Sequence, residues 1–311
     1  MRKSPALALL FAACAAPGPG TPVASRLQFA PLSVGIAVHD GPEPFAEYRT
    51  DGQRGPVLWP LCAPGGATLT RAFPFAEIDG EAHDHPHHES CWFAHGSVGG
   101  VDFWQGQGRI APVGPPRVDA AHAVIEQALE WRDHDDRLVC REQRTYRFGC
   151  GGQERWVDVA VRLGRDPSEL VIGDTKEGTM ALRLRPEFCL DGPGAAGAIH
   201  DSEGRTDHDV WGKRARWVAY SAVVDGVPRV VAMFDQPQNH GYPTHWHARG
   251  YGLFAANPFG LSDFEKAPKG SGGLRLPAGA TLSLHYRIWI HNGPFDAAAV
   301  EAAWREFAAA N

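Results

Sequence analysis

Along most of this chain apolar and polar positions alternate in short runs punctuated by Gly, Pro and Asp. Residues 32–38, 122–131, 138–148, 155–163, 179–184, 217–224, 229–234 and 281–291 either keep this period of two or are rich in β-branched residues, which predicts a strand for each. Gly149-Cys150-Gly151-Gly152 separates two of them and supplies residues that tolerate positive φ, so a hairpin is expected there. Only residues 296–309 show helical spacing: Val300, Trp304 and Phe307 recur at intervals of three and four, and Asp296 stands where it can cap the first turn. A long succession of strands without intervening helices argues against a parallel α/β sheet and for packed antiparallel sheets. The expected strands outnumber the roughly seven to nine of an immunoglobulin-sized sandwich. The predicted fold class is therefore all-β, a large antiparallel β-supersandwich with a C-terminal helix. No repeat or long linker divides residues 26–311, which are expected to form a single domain.

Composition adds limits. A chain of 311 residues with 43% hydrophobic content can bury one large core. Its formal charge of −6, with 30 basic and 36 acidic residues spread along the chain, leaves no basic stripe for a phosphate backbone, so nucleic acid is not an expected partner. In residues 1–25, Arg2 and Lys3 precede an apolar run too short to span a bilayer, which reads as an export signal. Leu10-Phe11-Ala12-Ala13-Cys14 looks like a lipoprotein cleavage box, with residues 17–22 as a tether; the alternative is an ordinary secretory signal cut after a small residue such as Ala16. The expected location is the periplasm or, as a lipoprotein, the outer membrane, and a lipid on Cys14 is the only membrane attachment expected. Cys62, Cys91, Cys140, Cys150 and Cys189 are odd in number, so at least one is free or paired between chains. Cys140 and Cys150 bracket a segment they could close into a loop, or all five are reduced and buried.

The densest chemistry lies in His83-Asp84-His85-Pro86-His87-His88-Glu89. Pro86 disfavours a helix, and an extended chain would place His85 and His87 on one face and turn His88 away. A second His-x-His pair, His245 and His247, is followed by Arg249, Tyr251 and Asn257-Pro258-Phe259-Gly260. If the sheets bring these segments together, the imidazoles would act as acid and base on a substrate or hold a divalent transition metal through His85, His87 and His247. Asp174-Thr175-Lys176-Glu177 is either a solvated turn or a carboxylate beside a lysine, suited to acid–base work or to holding a sugar hydroxyl. Trp211 to Trp217 mixes indoles with Arg214 and Arg216, as sites for sugars and carboxylates do, or else is a strand with buried tryptophans and solvated bases. Phosphate-loop, dinucleotide, nucleophile-elbow and zincin motifs are missing from the sequence, so no nucleotide cofactor is expected.

Several blocks together resemble one family. Arg54-Gly-Pro-Val-Leu-Trp-Pro-Leu61, Thr70-Arg71-Ala-Phe-Pro74, Asp84-His-Pro-His-His88 with Trp92-Phe-Ala-His-Gly96, Asp174-Thr-Lys-Glu-Gly178, Trp211-Gly-Lys-Arg-Ala-Arg-Trp217, and Trp246-His-Ala-Arg-Gly-Tyr-Gly-Leu253 with Ala256-Asn-Pro-Phe-Gly260 look like the ordered signatures of the PmoA-like family. The methane-oxygenase chemistry in that family's name has no support in this sequence, which lacks a membrane-spanning run. The resemblance implies a fold similar to galactose mutarotase, a small-molecule or glycan ligand, and an enzyme acting on a sugar. It makes His85 or His87 and His247 the acid–base pair and Glu177 or Asp174 the carboxylate. Arg71, Arg214, Arg249 and Asn257 become substrate holders, with His88, Trp92, Lys176, Trp211, Asn239 and Tyr251 lining the same site. The remaining alternatives are a copper, iron or zinc enzyme and a glycan-binding module without catalysis. Two departures stand out: Glu89-Ser90 where the family has Arg-Gly, and Gln236 where it has His.

Overall fold

The computed structural model describes residues 26–106, 108–165 and 167–310, so the export segment and Cys14 lie outside the described residues. One antiparallel sheet runs in spatial order β1 (Leu27–Leu32), β2 (Gly35–Asp40), β3 (Glu43–Arg49), β4 (Val57–Leu61), β5 (Cys91–His95), β12 (Gly178–Arg183), β17 (Leu253–Asn257) and β16 (His245–Ala248). The other runs β13 (Ala198–Asp201), β14 (Trp217–Val224), β15 (Val227–Asp235), β19 (Thr281–Asn292), β10 (Glu154–Gly164), β9 (Leu138–Gly151), β8 (Val124–Arg132) and β6 (Arg109–Pro112), with β7 (Arg117–Asp119) also pairing to β8. A ribbon of β11 (Leu170–Ile172) and β18 (Leu274–Leu276) stands apart, with a short helix α1 (Leu261–Phe264). This is the all-β supersandwich that the alternation predicts. The glycine-rich hairpin forms where expected, with Gly151 opposite Glu154. The strand expected at 32–38 forms as β2 from Gly35, with a turn at residues 33 and 34 separating it from β1.

Aromatic pairs join the sheets through the core: Phe45 to Phe148, Tyr48 to Tyr146, Phe93 to Trp131 and Tyr220 to Phe254, with ring centroids 5.5, 5.6, 6.2 and 4.7 Å apart. Helix α2 (Ala297–Ala309) covers the far face of the second sheet. The Asp296 carboxylate accepts the Ala298 amide as a cap, and Val300 and Phe307 bury against Trp217, Phe234 and Trp289. All five described cysteines are free thiols. Cys140 and Cys150 sit ten positions apart on the single strand β9, some 30 Å along an extended chain, so the loop-closing disulfide is geometrically excluded.

Two buried guanidinium groups tie the sheets together. Arg155 of β10 donates to the carbonyls of Pro44 and Ala63 and to the Glu43 carboxylate. Arg144 of β9 grips Glu142 through two nitrogens and reaches the Phe93 carbonyl across the core at 3.3 Å. Trp131 Nε1 donates to the same Glu142 at 2.6 Å, which leaves both carboxylate oxygens occupied. Removing the carboxylate would leave Arg144 charged and uncompensated in the core. Glu142→Ala is expected to cost about 3–5 kcal/mol in urea unfolding; a loss below about 1 kcal/mol would show that Arg144 finds other compensation.

Candidate functional site

The site follows from the alternation of the first sheet. Phe93, Met180, Ala256 and Trp246 are register partners across β5, β12, β17 and β16, and Phe93 turns inward to Trp131. Trp92, Ala181, Ala255 and His247 are the adjacent partners and therefore occupy the opposite, outer face. Two small alanines, both fully buried, form the floor between an indole and an imidazole, and Trp92 and His247 stand three strands, roughly 14 Å, apart.

Above Trp92 lies the histidine loop. It is a turn rather than the expected extended segment: His85 has φ of +44°, and the His88 amide donates back to the His85 carbonyl at 2.9 Å. The turn reverses the predicted facing. His88 points inward onto Trp92, while its ring stacks on that of His85 at 4.7 Å and meets that of His87 edge-on at 4.5 Å. Arg71, expected to hold substrate, instead holds this loop. Its guanidinium is buried and donates to the carbonyls of Ala82, Asp84, His85 and His88 and to the Asp84 carboxylate. Arg183, which the pattern reading passed over as the end of an apolar strand, donates to the same Asp84 oxygen at 2.7 Å and lies over the Tyr251 ring. Burial opposes charge on Asp84, yet Arg183, His85 and Arg71 hold its carboxyl below the usual range. The second Asp84 oxygen faces His85 Nδ1 at 2.6 Å. A carboxylate only accepts, so Nδ1 carries a proton and Nε2 is the ring nitrogen turned away from Asp84. Asp84 thus supports His85 as an orienting acid supports a catalytic base.

Across the floor, His247 Nδ1 donates to the Lys176 carbonyl at 3.0 Å, which leaves Nε2 as the acceptor. Burial, then the charges of Lys176 and Arg249, push His247 down to about 3, and burial with His85 and Arg54 pushes His87 down to about 4. His88 is driven down further by burial and by His87. The two imidazole groups share one locale: His85 stacks on Tyr251 at 5.3 Å, Tyr251 and Trp211 flank Arg249, and Trp211 meets His247 at 6.5 Å. Glu177, paired with Lys176, is close enough to raise Tyr251, whose main cause of elevation is burial.

Other candidates fall outside this set. Asp174 accepts three backbone amides, from Ser262, Gly270 and Gly272, so it clamps a loop and has no oxygen left for acid–base work. Asn257 is fully buried, donating to the Thr175 carbonyl and accepting the Phe259 amide. Arg214 bonds Glu265 and the carbonyls of Gly241 and Pro243. Asn239 lies on the second sheet, bound to Asp235 and the His285 backbone, and Gln236 beside it donates to Phe307 of α2. Neither touches the outer face of the first sheet, so the Gln236 departure does not alter the site. Trp92 is buried beneath His88 and supports it rather than facing a ligand.

The metal triad is not assembled. His85 and His88 present parallel rings, His85 Nδ1 is bonded to Asp84 and His247 Nδ1 to a carbonyl, and among the described residues no three His, Cys, Asp or Glu side chains converge on one point. A cleft of about 230 Å³ opens beside the loop, lined by Arg71, Asp84, Arg183, Cys189, Asp191 and Tyr251. A larger concavity of about 610 Å³ lies among residues of β8, β9 and β10. Neither is lined by a histidine; the smaller one adjoins the histidine loop through Asp84 and Tyr251.

The Glu89-Ser90 departure is accommodated locally. Ser90 takes φ of +60°, a conformation cheapest for glycine, and its hydroxyl bonds the Leu58 carbonyl and Thr70 at 2.6 and 2.8 Å. Glu89 is buried, accepts the Gln53 amide at 2.9 Å, and is pushed up to about 7 by burial. A raised carboxyl gives stability that is intact below its unfolded value near 4.5 and falls as pH climbs to about 7, by up to about 3 kcal/mol. Glu89→Gln is expected to be more stable than the parent above pH 7 and equal to it near pH 4, by thermal melts across pH. Parallel curves for the two proteins would contradict the assignment.

Comparison with known proteins comes to little beyond the family. No curated protein matches this chain in sequence. Among solved structures, an alpha-galactosidase from Lactobacillus brevis aligns at TM-score 0.38 and 9% identity, over 88% of this chain and 40% of that one. A polysaccharide lyase aligns at TM-score 0.33 and 10% identity, over 86% and 32%. An alpha-galactosidase from Geobacillus stearothermophilus, in complex with raffinose, aligns at 0.33 and 10%, over 86% and 41%. This chain spans less than half the length of these proteins, and likenesses so slight say nothing of its activity. A family match covers residues 35–305, without the oxygenase name, and the chain belongs to the group described as "Family of unknown function (DUF6807)".

Proposed function

We propose that this chain is a carbohydrate-active enzyme that works on a sugar or oligosaccharide by acid–base chemistry. The observation that carries the reading is a pair of imidazoles each oriented through Nδ1, His85 by Asp84 and His247 by the Lys176 carbonyl, and linked in space through Tyr251, Arg249 and Trp211. Neutral imidazoles accept a proton from a hydroxyl or a carbon acid without first losing one of their own. Glu177 beside Lys176 is the carboxylate partner, and the indole of Trp211, close to His247, suits the apolar side of a pyranose ring. Export to the periplasm or outer membrane, with a lipid on Cys14, belongs to the same proposal, since glycans are abundant there.

Incubating the purified chain with a panel of mono- and oligosaccharides, followed by NMR so that products of unchanged mass are seen, tests it. His85→Ala and His247→Gln are each expected to lower turnover by about 10²–10⁴ while the melting temperature moves little. Full activity in both variants would remove the assigned bases, and glycan binding without any product would make the protein a binding module instead.

A further inference from the structure

We propose that the ligand is an acidic sugar, bearing a carboxylate or sulfate ester, and that Arg249 receives its acid group. The inference rests on the reading of this face as a sugar site and narrows the substrate class. The argument begins with the other cations. Arg71 is spent on the histidine loop, Arg183 on Asp84, His88 and Tyr251, and Lys176 on Glu177. Arg249 differs. Among the described residues its guanidinium has no hydrogen bond and no ion pair, and its recorded contacts are with the rings of Trp211 and Tyr251, whose centroids lie 5.8 and 5.7 Å away.

Its base is nevertheless fixed. The Arg249 amide donates to Leu253 at 2.8 Å, and its carbonyl accepts from the Gly252 amide and the Tyr220 hydroxyl. Two aromatic rings lie against the guanidinium and leave its in-plane N–H groups without a protein acceptor. Those groups form the fork that matches a carboxylate or sulfate.

The acids around this face are already engaged: Asp84 by Arg71 and Arg183, Glu177 by Lys176, and Glu81 by the Ala72 and Phe73 amides. A neutral sugar would leave the Arg249 guanidinium without an acid partner.

Calorimetric titration of the full chain with methyl galactopyranosiduronate, galactose 6-sulfate and methyl galactopyranoside, and with their gluco counterparts, tests this. The uronate or the sulfate is expected to bind about tenfold or more tightly than the matching neutral sugar, with an advantage that shrinks as salt rises. Whichever acid shows it identifies the source. Arg249→Gln should collapse that ratio, whereas Lys213→Gln, which removes an exposed charge from the segment bonded to Trp246, should not. Equal binding of neutral and acidic sugars, or a ratio that survives Arg249→Gln, overturns the inference and leaves the sugar-enzyme reading standing. Failure of every sugar, neutral or acidic, to bind or react overturns both.

Discussion

Asp84 is held by two buried arginines that come from different places in the chain, Arg71 before the histidine loop and Arg183 at the end of β12. The loop has no strand or helix of its own, and Arg71 closes it by collecting four of its carbonyls. A buried guanidinium must find acceptors or destabilise the fold, so the turn that supplies them is the turn the chain adopts. From that grip follow the orientation of His85 by Asp84, the stacking of His88 on Trp92, and the placement of Tyr251 over Arg183.

The same economy of charge runs through the sandwich. Arg144 and Arg155 span the space between sheets: Arg155 bonds a carboxylate and carbonyls of the facing segment, and Arg144 pairs with Glu142 on its own strand while reaching the Phe93 carbonyl opposite. These crossbars fix how the sheets lie on one another, and with it the outer row on which Trp92 and His247 sit. Arg249, beside the histidines, is held among rings without an acid.

Much of this was legible in the sequence. Alternation alone locates most long strands, the glycine hairpin and the capped terminal helix, because these depend on period and local turn chemistry. The short strands β5, β16 and β17 escape it, being buried on both faces and so lacking a polar phase. In the site, the His-x-His pairs, Glu177, Arg249 and Tyr251 stand out as residue types that are costly to place without use. The roles of Arg71, Asp174 and Asn257 do not, since a side chain that binds backbone and one that binds substrate look alike in a sequence. Arg183 is hidden within an apolar strand. The facing of His88 was misread because Pro86 is compatible with a turn as well as with an extended chain.

The central claim is that His247, a neutral imidazole, and His85, oriented by Asp84, serve one ligand site. Nitrogen-15 NMR of histidine-labelled protein reads this directly. The account predicts that His247 is protonated on Nδ1 with a bare Nε2 throughout the pH range above about 4, and that an added sugar ligand shifts the His85 and His247 signals together with a single affinity. A His247 that titrates near pH 6.5, or a ligand that moves one imidazole and leaves the other untouched, would contradict it.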